Sequence, residues 1–276
     1  QTRALANLAG MKRARQRGRG VEFDEVRAYA AGDDVRAIDW RVTARSGTAH
    51  TKLFHEDREQ PILVAIDQRT PMKFGSTQCF KSVMAAHVGT LALWSALGAG
   101  ERVGGVVLGD NSLSDTRPKR SQHSVLRVIG DLVREGAPNA ADNAPSNDLS
   151  HLLQQLERIA RPGTRVFLIS DFHDLLEPDN FSPLRRLARR TQLVGIAVND
   201  RLEAELPRSG HYAVTDGNHH SSLDTGADTI REAYANQHRS NQELTARRLR
   251  ELRIPLLRIS TGDDPLRRLL TVFPAR

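Results

Sequence analysis

Cysteine, aromatic side chains and long apolar runs are all scarce in this chain of 276 residues. The one cysteine, Cys79, excludes an internal disulfide and a cysteine-based zinc site, and it reads as an inert, buried thiol. No apolar run reaches the roughly 18–20 residues that a bilayer-crossing helix needs. The longest, VMAAHVGTLALWSALGAG at 83–100, is interrupted by His87 and several glycines and reads as a core helix. There is no G-x-x-x-x-G-K-[ST] loop, no G-x-G-x-x-G after a strand, no G-x-S-x-G and no H-E-x-x-H. Those absences weigh against nucleotide hydrolysis, dinucleotide chemistry, serine hydrolysis and zinc proteolysis. The chain opens at Gln1 and shows no signal-peptide apolar region, so residence in the cytoplasm is the expectation.

Acid is also missing locally. The first twenty residues carry Arg3, Lys12, Arg13, Arg15, Arg17 and Arg19 and no carboxylate, while the whole chain has a net charge of +7. Such a balance suits acidic partners, nucleic acid and anionic lipid among them. RARQRGRG has no interleaved aromatics, so single-strand base stacking has no platform. A basic arm over 1–20 is therefore read, with no specific nucleic-acid site. RRLARR at 185–190 and ARRLR at 246–250 read as solvated helix faces.

What is present is rhythm. Residues 21–60 show short extended runs and turn signals, which predicts a small β-rich lobe. From residue 61 the pattern becomes strand, helix, strand, helix. PILVAI, RVGGVVLG, TRVFLISD, QLVGIAV and IPLLRIS read as buried strands. The run after PILVAI is expected to place Phe80, Met84, His87, Leu91 and Trp94 on one core-facing helical stripe, with His87 a hydrogen-bonded core histidine. SLSDTR is a candidate antiparallel return, 206–226 a hairpin and 227–252 a long polar helix. This alternation implies an α/β fold class: a doubly wound, mostly parallel sheet over 61–276, covered on both faces.

Ligands of such sheets bind beyond the carboxyl ends of the strands. That edge would collect Asp67, Asp171, Asp200 and the GDD at 262–264, an acidic rim of the kind that suits a divalent cation. In SDFHD, His173 and Asp174 read as turn residues. His211, His219 and His220 fall in the hairpin with no partner at metal spacing.

The most distinctive run is GVEFDEVRAYAAGDDVRAIDWRVTARSG, residues 20–47. Gly32 permits a turn, and Asp33 or Asp34 can cap the short VRAIDW turn. Arg27, Arg36 and Arg45 have acids within reach, which predicts a lobe held by buried Arg–carboxylate pairs around Trp40 as a large buried anchor.

This run resembles the signature of a bacterial family, domain of unknown function 58, in which E-F-x-x-x-R-x-Y-x-x-G-D-D-x-R-x-I-D-W-x-x-x-A-R precedes a von Willebrand factor A-like domain. Glu22, Phe23, Arg27, Tyr29, Gly32, Asp33, Asp34, Arg36, Ile38, Asp39, Trp40, Ala44 and Arg45 match it. The resemblance continues through KLFHEDREQPILVAID, LISDF and IPLLRISTGDDPLRRLL. It implies a doubly wound fold of von Willebrand factor A type with a β-rich N-terminal insertion. It also implies a non-catalytic role beside a MoxR-type AAA+ ATPase. The family's A-type domain can carry a metal-ion-dependent adhesion site, D-x-S-x-S plus a threonine and a distal aspartate. Here those positions are Asp67, Arg69, Pro71, Asn147 and Asp171. With the hydroxyl ligands replaced, Arg69 or solvent is expected to neutralise Asp67 and Asp171, and no metal or other cofactor is expected. Two rival readings are a nucleic-acid-associated basic protein and, last, a hydrolase built on Asp67, Asp171 and His173.

Overall fold

The computed structural model describes residues 17–30, 32–55, 60–136, 147–176, 178–208, 210–215 and 220–272. The basic arm falls outside the described residues up to position 16, as do His219 and the loop over 137–146. The chain divides into two compact units, one within Lys12–Glu59 and one running from Gln60 to Arg276.

In the smaller unit, β1 (Arg17–Ala28) pairs antiparallel with β2 (His50–His55) in a register that sets Val26 opposite Lys52 and Ala28 opposite His50. Gly32 turns the chain at φ 105°, a conformation that side-chain-bearing residues rarely adopt. Asp33 holds the turn by accepting from the Ala30 amide at 2.9 Å and from Arg27 Nη2 at 2.7 Å. Asp34 then accepts from the Arg36 amide and opens a 3-10 turn over Val35–Ala37. Asp39 does the same for helix α1 (Trp40–Ser46), accepting from the amides of Arg41 and Val42. Gly47, left-handed, closes it.

Two expectations for this motif are corrected here. Trp40 is 69% exposed, not a buried anchor, and Arg36 and Arg45 are exposed rather than parts of buried ion pairs. A two-stranded ribbon with one short helix is too small to enclose a core, and no residue of α1 is buried. The aspartates at 34 and 39 are used as helix caps, which need a short acceptor next to free amides. The side chain of Glu22 lies outside the described part; its backbone sits on β1 opposite His55.

The larger unit is built on β3 (Ile62–Asp67), β4 (Val103–Leu108), β5 (Leu113–Lys119), β6 (Arg165–Ser170), β7 (Gln192–Asn199) and β10 (Leu256–Ser260). These six strands form one sheet in the order β10–β7–β6–β3–β4–β5, parallel throughout except at the edge strand β5. Numbered in chain order from the β5 edge, they read 3-2-1-4-5-6, so the winding reverses between β3 and β6. This is the switch point at which doubly wound sheets open a crevice. A separate hairpin pairs β8 (His211–Thr215) with β9 (His220–Asp224).

Alternate residues of β3 serve opposite faces. Ile62, Val64 and Ile66 pack with α2 (Lys81–Gly98), α3 (Gln122–Gly136) and Leu269 of the last helix. Leu63 and Ala65 pack with α4 (Leu149–Ile159), α5 (Pro178–Arg190) and Leu249 of the long helix α7 (Asp228–Glu251). A short helix α6 (Arg201–Ala204) follows β7, and α8 (Pro265–Val272) ends the described chain. Among the described residues no helix is long and apolar enough to cross a membrane.

The buried stripe of α2 differs from the expected one. Met84 is buried, but Phe80, His87 and Trp94 are exposed. Ala85, Val88, Gly89, Ala92, Leu93 and Ala96 face the sheet instead. These small residues let the helix lie close on β3: a Cβ at Gly89 would stand 2.4 Å from Ile66 Cδ1. Close approach, not side-chain size, chose the inner face.

Candidate functional site

β3 and β6 end side by side at the switch point, and each brings a carboxylate to that edge, Asp67 as the last residue of β3 and Asp171 just past β6. Asp67 is fully buried and saturated. Its Oδ1 accepts from the Arg69 amide at 3.1 Å and from Arg69 Nε at 2.9 Å. Its Oδ2 accepts from Arg69 Nη2 at 2.7 Å and from Ser170 Oγ at 2.8 Å. A carboxylate offers about four lone-pair sites, and here all are filled. The bidentate fork is the strongest form of this pairing.

Arg69 itself is buried and reaches further. Its Nη1 donates to Asp174 Oδ2 at 2.5 Å and to the Asn147 carbonyl at 3.2 Å. Burial alone would lower the Arg69 pKa; the carboxylates of Asp67 and Asp174 reverse that and leave it raised. Asp174 also accepts from the Leu149 amide at the start of α4. It is therefore a working member of the site, not the ordinary turn residue that the sequence suggested. Asn147 contributes its backbone oxygen; its side-chain nitrogen turns away to the carbonyls of Gly109 and Ser112. Pro71 sits exposed in the 3-10 turn Thr70–Met72.

Asp171 is not held by Arg69. Lys81, the first residue of α2, donates to Asp171 Oδ2 at 2.9 Å and to Glu203 Oε1 at 2.5 Å. Burial would lower the Lys81 pKa, but the two carboxylates raise it. Burial would raise that of Asp171, and Lys81 together with the His173 amide brings it down. Sequence reasoning missed Lys81 and Glu203. The available signal was Lys81 itself, a lone cation at the N-terminal end of an apolar helix, where the helix dipole disfavours positive charge.

The rest of the acidic rim is occupied too. Asp200 accepts from the amides of Ser76 and Leu202 and from the hydroxyls of Ser76 and Thr261, and these bonds hold its pKa down against the effect of burial. Asp263 accepts from the Ser260 amide, and Asp264 caps α8 through the amides of Leu266 and Arg267. His173 and His211 are exposed. Cys79 is half-buried, with its thiol 3.6 Å from the Thr261 carbonyl.

The donor set does not fit a divalent cation. Asp67 has no free lone pair, the Arg69 guanidinium and the Lys81 ammonium already occupy the carboxylates of the site, and Arg69 and Pro71 offer no oxygen ligand in their side chains. Among the described residues no group of three or more His, Cys, Asp or Glu could hold a metal ion. Beside Lys81 and Asp171 a cavity of about 380 Å³ opens against α7, walled by Asn199, Glu203, Tyr234, Gln237 and His238. Burial lowers the His238 pKa, with Glu203 opposing and Lys81 adding to the shift.

A family model described as "Protein of unknown function DUF58" matches residues 25–244. The chain belongs to the DUF58 family. An uncharacterized protein of Mycobacterium tuberculosis is 31% identical over 254 residues, which covers 90% of this chain and 77% of the relative. An uncharacterized protein of Mycobacterium bovis matches to the same extent. Among solved structures, this DUF58 chain is similar to the conserved hypothetical protein BatB of Bacteroides thetaiotaomicron, at 11% identity and a TM-score of 0.46. That match covers 76% of this chain and 93% of the other. An aerotolerance-related membrane protein of Bacteroides fragilis scores 0.47 at 12% identity, over 78% and 98% of the two chains. The SpRpn10 VWA domain scores 0.40 at 13% identity, over 78% and 96%. The sheet order of this DUF58 chain is that of a doubly wound, mostly parallel α/β fold, the class read from the sequence.

Proposed function

We propose that this DUF58 protein is a non-catalytic adaptor that serves a MoxR-type AAA+ ATPase in the cytoplasm, and that it recognises its partner without a bound metal. The observation that supports this most is the closed charge network at the switch point. Asp67 belongs to Arg69 and Ser170, and Asp171 belongs to Lys81. Asp67 has no lone pair left for a cation or for proton transfer, Asp171 is tied to Lys81 and to the His173 amide, and the His173 side chain is exposed. The partner class comes from the motif resemblance.

Co-purification with a MoxR-type ATPase from the same genome tests the adaptor reading. Capture should be unchanged by EDTA, and the isolated chain should not turn over ATP. ATP hydrolysis by this chain alone, or capture that needs Mg²⁺, would overturn it.

A further inference from the structure

The arginine run on α5 faces the turn that follows α7. RRLARR lies on α5, ARRLR at the end of α7, and the chain after α7 turns at Arg253. Arg185 and Arg189, four residues apart and so on one helical face, line a concavity of about 370 Å³ together with Arg253. Phe181, Ala188 and Leu252 line it as well. Arg253 takes the left-handed backbone of a helix-ending turn, at φ 57°, closed by the Ile254 amide donating to the Leu249 carbonyl.

The charge in this groove is not consumed internally. Arg186 is spent on Glu157 at 2.8 Å and Arg247 on Glu251 at 3.2 Å, while Arg248 donates to the Leu175 carbonyl. Glu251, the one acid lining the groove among the described residues, is thus already paired. Arg185, Arg189 and Arg253 form no ion pair among the described residues and are exposed. This inverts the situation at the sheet edge, where Arg69 and Lys81 are buried and matched.

From this we infer that the α5–α7 groove is a docking site for an acidic, partly apolar segment of a partner protein. Guanidinium forks accept carboxylates bidentately. Arg185 and Arg189 suit carboxylates about one helical turn apart, Arg253 takes a third, and an apolar side chain between them fits against Phe181, Ala188 and Leu252. Nucleic acid fits less well. The ring of Phe181 already carries the Arg185 guanidinium, 5.1 Å from its centroid, so it is not free to stack on a base. The three arginines also surround a hollow rather than follow a backbone. This surface is separate from the Arg69–Lys81 network, and the inference stands whether or not the partner is an ATPase.

The test is fluorescence anisotropy with three labelled probes. They are a twelve-residue peptide of repeated Asp-Glu-Leu-Phe, its Asn-Gln-Leu-Phe counterpart and a duplex DNA of mixed sequence. The acidic peptide should bind in a salt-sensitive way, and its neutral counterpart should not. The pair R185E/R189E and the single variant R253E should each weaken binding, the pair by roughly tenfold or more, the scale expected when charge pairs are reversed across an interface. Thermal melting checks that the variants fold, and reversal of Arg117 and Arg120, on the far edge of the sheet, should leave affinity unchanged. Equal affinity in the groove variants and wild type would overturn the inference. So would duplex DNA that outcompetes the acidic peptide and loses affinity in the same variants.

Discussion

The Lys81 ammonium lies 2.9 Å from Asp171 and 2.5 Å from Glu203, on a helix that holds no other lysine, arginine or carboxylate. One buried cation therefore ties the start of α2 to the end of β6 and to α6. Removing one partner of a buried pair leaves the other uncompensated, at a cost of about 3–5 kcal/mol. Lys81→Met should lose stability on that scale in chemical unfolding. Adding Asp171→Asn to it should recover part of the loss, since the stranded carboxylate is then gone. A double variant no better than the single one would show that Glu203, not Asp171, is the partner that matters.

Millimolar Mg²⁺ or Mn²⁺ should leave the melting temperature of the wild type unmoved. A ligand at 100 times its dissociation constant stabilises a fold by about 2.7 kcal/mol, so binding of useful strength would be visible. The variant R69S/P71S frees Asp67 and restores two hydroxyls. A metal-dependent rise in that variant alone would identify Arg69 as the group that excludes the ion. A saturable rise in the wild type, lost in Asp67→Ala, would contradict the closed-site reading.

The Lys81–Asp171 pair should also shape stability against pH. Asp171 has a depressed pKa in the folded state, so its contribution is complete above the unfolded value of about 3.9 and disappears as pH falls through the lower folded value. Lys81 has a raised pKa, so its contribution is complete below about 10.4 and is lost as pH rises through the higher folded value. Denaturation midpoints should form a plateau between these limits. In the double variant Lys81→Met/Asp171→Asn both limbs should flatten, and unchanged limbs would assign them to other groups.

In the small lobe, stability and exposure separate. Asp39→Ala removes the cap of α1 and should cost the lobe about 1 kcal/mol. Trp40→Ala and Arg36→Ala change exposed side chains and should shift unfolding by no more than about 0.5 kcal/mol. If the lobe contacts a partner, Trp40→Ala should weaken co-purification while Asp39→Ala weakens it only through unfolding. Hydrogen exchange over residues 34–47 distinguishes the two.

The fold was legible because it rests on local pattern. Continuous apolar runs such as ILVAI and VFLIS describe strands buried on both faces, and their alternation with helices leaves few topologies. The carboxylates at 67 and 171 could be placed at the strand ends on the same grounds, and the Arg69–Asp67 pairing follows from two residues of separation. What the chain could not reveal alone is which distant group completes each charge. Lys81 meets Asp171 across 90 positions and Asp174 meets Arg69 across 105, contacts made only when β3, β6 and α2 converge at the switch point. The exposure of Trp40 and of the outer α2 stripe was equally hidden. Periodicity marks an apolar face, but whether anything covers it depends on the size of the unit and on how closely Ala85, Gly89 and Ala92 bring the opposite face to the sheet. Local sequence sets the elements because backbone propensity and burial period act over a few residues. Ion-pair partners and exposed surfaces are decided by the tertiary structure, because they depend on what the folded chain places beside them.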